Sequence, residues 1–196
     1  MAENANYRLP YRRRRERKTD YQARRILATS AEPRLVIRVS NKEVIAQLVK
    51  AEIIGDRVLT QATTNELASK YNWKGSRKNI PASYLLGYVA GKKALKSGFE
   101  TAYLDLGLKR PTKGNKIFAV VKGAIDAGLN VPCDSDIVPP PERINGGDIS
   151  NFAKRMEDPV KYEKQFSAYL RNGLKPEELP IHFEETKKRI EEEWAK

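Results

Sequence analysis

The residues of this chain that could do chemistry are arginines, lysines and tyrosines gathered in runs, and the chemistry they suit is the holding of phosphates and bases. The densest run is Tyr11-Arg12-Arg13-Arg14-Arg15-Glu16-Arg17-Lys18, followed by Tyr21, Arg24 and Arg25; between Arg8 and Arg25 stand 9 basic and 2 acidic residues. Arginine joins permanent charge to a planar fork that matches phosphate and a flat face that stacks on bases. With Tyr7, Tyr11 and Tyr21 interleaved, the mixture suits RNA, whose loops expose bases that a regular duplex hides. Two further segments carry cations and no acid. Tyr71 to Asn79 holds Lys74, Arg77 and Lys78 beside Tyr71 and Trp73, and Gly107 to Gly123 holds Lys109, Arg110, Lys113, Lys116 and Lys122. A solvated surface usually mixes the signs. Taken alone, the arginine run also fits an import signal, a membrane-surface patch or a solvated arm.

Catalytic groupings are poor by comparison. His182 is the single histidine and lies beyond Pro180, far along the chain from the single cysteine, Cys133; with no third orienting group, they read as a solvated imidazole and an isolated thiol. Gly87-Tyr-Val-Ala-Gly91-Lys92-Lys93 has one residue too few between its glycines for a phosphate-binding loop and no Ser or Thr after the lysine. It falls within an expected helix, where small residues let a neighbour approach closely. Asp134 and Asp136 lack the further oxygens a calcium or magnesium site needs. Asp105 and Asp126 have no acid-base partner in sequence. Neither an enzyme, a metal nor a cofactor is expected.

Composition agrees with a polyanion as partner. The 196 residues carry a net charge of +12, with 32% charged and 40% apolar residues, enough to build a core. The charge is uneven: residues 1–33 sum to +5, residues 34–132 to +10 and residues 133–196 to −3. One cysteine permits neither an intrachain disulfide nor a multi-cysteine zinc site and suits a reducing cytoplasm. No apolar run approaches a membrane span and the N-terminus does not read as a signal peptide, so the expectation is a cytoplasmic chain with no membrane partner.

Three regions must position these residues. Residues 1–33 are expected as a basic arm, mobile until RNA orders it, ending in a short helix near Asp20 with Thr19 and Gln22 spaced as a capping box. Residues 34–132 are expected as an α/β domain. Arg34 to Ser40 and Val44 to Lys50 form a hairpin across Asn41-Lys42-Glu43, and Arg57 to Ala62 adds a third antiparallel strand. A short helix at Asn65 to Tyr71, a long one from Ile80 to Ser97 behind Asn79, a strand at Thr101 to Leu106 and an amphipathic helix from Asn115 to Ala127 follow. The order βββαβα implies a mixed sheet with the two long helices on one face and the other face open. Residues 133–196 are expected as a Pro/Gly-rich connection and a helical C-terminal extension from about Ile149. Its last stretch, Glu184 to Lys196, is expected as an exposed helix with Glu184/Lys188 and Glu185/Arg189 pairs.

These segments resemble a known family, large-subunit ribosomal protein eighteen of the archaeal and eukaryotic type, which binds 5S rRNA. The resemblance rests on Tyr11 to Arg25, on Tyr103-Leu-Asp-Leu-Gly-Leu108, on Thr112-Lys-Gly-Asn-Lys-Ile-Phe118, on Lys122-Gly-Ala-Ile-Asp-Ala-Gly128, and on Tyr162 to Tyr169 in the tail. It implies a mixed α/β domain that grips 5S rRNA and joins it to the 23S-type rRNA in the central protuberance. It also implies neighbouring ribosomal proteins, among them the other 5S rRNA-binding protein. By motif, Tyr11, Arg12, Arg13, Arg14, Arg15, Arg17, Lys18, Tyr21, Arg24 and Arg25 become arm contacts. Thr112, Lys113, Asn115 and Lys116 become contacts from the loop before the last helix. Lys74, Arg77, Lys78, Lys109 and Arg110 join them on local charge. An insertion of the eukaryotic form just before the Tyr103 strand is absent here, so its role does not transfer.

Overall fold

The computed structural model describes residues 6–194; the first five residues of the expected arm and the last two of the expected C-terminal helix lie outside that range. The arm turns once as α1 (Arg12–Arg15), and Arg17, at φ +51, closes the turn in a conformation that glycine usually supplies. The expected second helix forms as α2 (Tyr21–Thr29), but Asp20 caps it and not Thr19. The Asp20 carboxylate accepts from the amides of Gln22 and Ala23, a charged acceptor at the positive end of the helix. The Thr19 hydroxyl instead accepts from Arg13 Nε at 2.8 Å.

Strands β1 (Arg34–Val39), β2 (Val44–Ala51) and β3 (Asp56–Thr63) form an antiparallel meander. The first turn closes on Ser40, whose hydroxyl accepts from the amides of Lys42 and Glu43. After α3 (Thr64–Lys70) and α4 (Ile80–Lys96), strand β4 (Tyr103–Asp105) joins β1 in parallel, and α5 (Lys116–Asp126) follows. The sheet is mixed, in the order β3-β2-β1-β4. Strand β4 is shorter than expected because Thr101 bridges to Asn130 and the Ala102 amide donates to the Asn130 carbonyl, outside the named strands.

Alternation along the strands sends Leu35, Ile37, Val44, Ala46 and Leu48 to one face, buried beneath the helices. Helices α4 and α5 pack tightly because glycines remove side chains from their contact. Gly87 lies against the backbone of Val120, Gly91 against Ala124 and Ala127, and Gly123 against the Tyr84 carbonyl. The contacts advance together from Gly87/Val120 to Gly91/Ala127, so the helices run in the same direction and their N-termini share one end.

Two expectations need correction. The second face of the sheet is not fully open: α2 packs against β2, and Arg34, Val36 and Val49 on that face are all buried. The C-terminal extension is not an exposed helix. It comprises α6 (Pro141–Ile144), α7 (Gly147–Lys154), α8 (Pro159–Arg171) and α9 (Leu179–Trp194), so it begins before Ile149. Leu179, Phe183 and Ile190 of α9 join the main core. Its apolar positions at i, i+4 and i+11 make one stripe, which the charged composition of the segment hides. Of the two expected pairs, Glu185/Arg189 forms at 3.5 Å, while Glu184/Lys188 is not among the ion pairs of the described residues.

Candidate nucleic-acid interface

In the arm, Arg12, Arg13, Arg14, Arg15, Arg17 and Lys18 are all exposed, so their charge faces water except where Glu16 meets Lys18 at 2.9 Å and Arg12 at 3.6 Å. Tyr11 is 72% exposed and its ring lies 5.1 Å from that of Tyr21, a preformed aromatic pair beside the arginines. Arg25 is exposed on α2. Arg24 has another job. Its two terminal nitrogens donate to both oxygens of Asp56, at 2.8 and 3.0 Å, and Asp56 also meets Arg34 at 3.0 Å. Arg34, only 3% exposed, donates in turn to Asp105 at 3.0 Å. This chain of alternating charges fastens α2 to β3, β1 and β4. The hydrogen bonds from Arg24 hold the Asp56 carboxyl below its usual pKa, against the opposing effect of burial.

The second cluster is only half what its composition suggests. Tyr71 and Trp73 are each 3% exposed and belong to the core, so neither offers a face to a base. Lys74 and Lys78 are half-buried and Arg77 is exposed, with Arg77 donating to the Asn65 side chain at 2.7 Å. The aromatics turn inward because α9 covers them: the Trp73 ring stacks on His182 at 5.2 Å, and Trp194 Nε1 donates to the Tyr71 hydroxyl.

The third cluster starts at the arm and ends at the second. Lys109 lines a cleft together with Arg13 and Lys18 of the arm. Arg110, Thr112 and Lys113 are exposed, and Asn115 caps α5, accepting from the Ile117 amide. Lys116, in the first turn of α5, faces Lys78, which precedes α4. Burial, and then the charge of Lys78, hold the Lys116 ammonium below its usual pKa. Cations at helix N-termini oppose the macrodipole, so Lys78 and Lys116 cost stability where they stand, and an anion seated there would relieve both effects. The three clusters thus make one strip, from Arg13 and Lys18 through Lys109 to Lys116 and Lys78. Arg38 also lines the cleft beside Arg13 and Lys18. It is a cationic site residue that the sequence did not single out, because its immediate neighbours, Ile37 and Val39, are apolar.

The groups weighed for catalysis are otherwise engaged. His182, expected as solvated, is buried, and its Nε2 accepts from the Lys74 amide at 3.0 Å; burial lowers its pKa and favours the neutral ring that can accept. Burial pushes the Cys133 thiol up, away from the thiolate a nucleophile needs. Asp105 accepts from Arg34 and from the Gly107 amide, and Asp126 accepts from Tyr84 and Lys122. The Gly87 to Gly91 segment is the helix contact described above. Among the described residues no three His, Cys, Asp or Glu side chains gather to hold a metal, and no helix is long and apolar enough to cross a membrane.

Known proteins share this sequence closely. The family described as "Ribosomal large subunit proteins 60S L5, and 50S L18" matches residues 5–100 and 96–134. A protein of Thermofilum pendens named large ribosomal subunit protein uL18 is 50% identical over 194 residues, covering 98% of each chain. A protein of the same name from Caldivirga maquilingensis is 46% identical over 198 residues, covering 100% of this chain and 96% of its own.

Proposed function

This chain belongs to the ribosomal large-subunit protein family of 60S L5 and 50S L18, and on that premise we propose that it binds 5S rRNA and helps attach it to the 23S-type rRNA in the central protuberance. Its role in the large subunit is structural, in keeping with relatives that match it from end to end. Its place of work is the large subunit in the cytoplasm. The partners are the two rRNAs and neighbouring ribosomal proteins, including the other 5S rRNA-binding protein.

One observation supports RNA as the ligand above the rest. Three cationic segments far apart in sequence meet in a single strip that begins beside the exposed Tyr11, whose ring pairs with the half-buried Tyr21. On this proposal the arm contacts are Tyr11, Arg12, Arg13, Arg14, Arg15, Arg17, Lys18, Tyr21 and Arg25, with Arg24 serving chiefly to hold α2 in position. The domain contacts are Lys74, Arg77, Lys78, Lys109, Arg110, Thr112, Lys113, Asn115 and Lys116. The test is affinity for 5S rRNA against an unrelated structured RNA of equal length at moderate salt. Clear preference for 5S rRNA is expected, and equal affinities would overturn the assignment of this partner.

A further inference from the structure

We propose that the cleft where the arm meets the outer face of the sheet is a notch for one nucleotide of the bound rRNA, with Arg38 as the cation that receives its phosphate. The proposal rests on the 5S rRNA reading above and assigns it a residue and a place. The cleft measures about 520 Å³ and is continued by a second of about 390 Å³; Arg13, Lys18, Arg38 and Gly107 line both. Pockets of this size class hold small organic ligands, so a nucleotide fits by volume.

The charge left over in the cleft is positive. Its three carboxylates are already satisfied: Asp20 by two amides of α2, Asp56 by Arg24 and Arg34, and Asp105 by Arg34 and the Gly107 amide. Those same contacts consume Arg24 and Arg34. Arg13 spends only its Nε, on the neutral Thr19 hydroxyl. The Arg38 guanidinium has no hydrogen bond or ion pair with any described residue, although three carboxylates line the first cleft beside it. Its guanidinium lies along the backbone of Gly107, where a Cβ would stand 2.7 Å from Nη1. A planar cation held close to a glycine, with no hydrogen bond of its own spent, is arranged to receive a phosphate. Lys109 and Lys18 flank it in the second cleft. The first cleft adds the Tyr21 side chain, whose ring offers a base a stacking surface.

The experiment measures binding of the full chain to a 5S rRNA transcript and to the unrelated RNA, from about 50 to 200 mM salt, for wild type, Arg38→Gln, Arg38→Lys and, as a control outside the cleft, Lys50→Gln. Circular dichroism confirms that each variant is folded. Arg38→Gln is expected to bind roughly tenfold more weakly, with the salt slope smaller by about one. Arg38→Lys keeps the slope, and Lys50→Gln matches wild type. Wild-type affinity in Arg38→Gln overturns the proposal, as does weakened binding with an unchanged slope, which would mean that Arg38 acts only by covering Gly107. Failure of the 5S assignment reads differently: wild type then binds both RNAs equally, while Arg38→Gln still weakens both.

Discussion

Arg34 shows how much a single buried charge decides in this protein. It sits on the outer face of β1, holds Asp105 and Asp56 at once, and leaves its own Nε without a partner among the described residues. Removing one member of a buried ion pair strands the other, so Arg34→Met should destabilise the fold by about 3 kcal/mol in urea unfolding. Asp56 provides the pH test. Its folded pKa is depressed, so its contribution is present above its unfolded value, about 4, and is lost as pH falls through the folded value. Asp56→Asn should therefore be less stable at neutral pH and show a flatter acid limb. His182 titrates in a higher window. Burial depresses its pKa too, so the folded state is favoured above the unfolded value of about 6.5 and weakens as pH falls through the folded one. Unfolding from pH 7 to 5 should show this loss in wild type and not in His182→Gln.

At the scale of elements, the α4/α5 pair has the least tolerance. A Cβ at Gly87 would collide with the Val120 carbonyl, and one at Gly123 with the Tyr84 carbonyl. Both obstacles are backbone, which cannot rotate aside. Gly87→Ala and Gly123→Ala should each cost at least roughly 1–3 kcal/mol, read as a lowered Tm. These elements were largely legible in sequence because their signals are local. Asn79 does cap α4, Asn115, expected as the first residue of α5, caps it, and the spaced glycines of α4 do mark a close approach. What lies on each face was less legible. Tyr71 and Trp73 look like stacking aromatics among lysines, and only the docking of α9, more than a hundred residues later, turns them inward. Arg24 likewise looks like one more arm cation until Asp56 appears opposite it. Arg38 was missed for the converse reason: nothing beside it in sequence is basic.

The whole molecule couples its acidic and basic parts through the core. Residues 133–196 sum to −3, yet α9 is packed against α4 and the Tyr71 to Asn79 segment, where it supports the second basic cluster from below. Ending the chain after Leu174 would uncover Tyr71, Trp73 and Tyr84 together. Such a truncation should lose cooperative unfolding, and its RNA binding should become indifferent to sequence as the second cluster loses its support. If about six phosphates are neutralised along the strip, affinity for 5S rRNA in the intact chain should fall roughly a thousandfold between about 50 and 200 mM salt. Filter binding across that range checks the count. The aromatic interface beneath α9 also has an optical consequence. Both tryptophans of the chain, Trp73 against the His182 ring and Trp194 bonded to Tyr71, sit there. Intrinsic fluorescence excited at the indoles is therefore a built-in reporter for the seating of the C-terminal helix, dimming as the neighbouring imidazole takes up a proton, while the arm and its cleft stay dark to it.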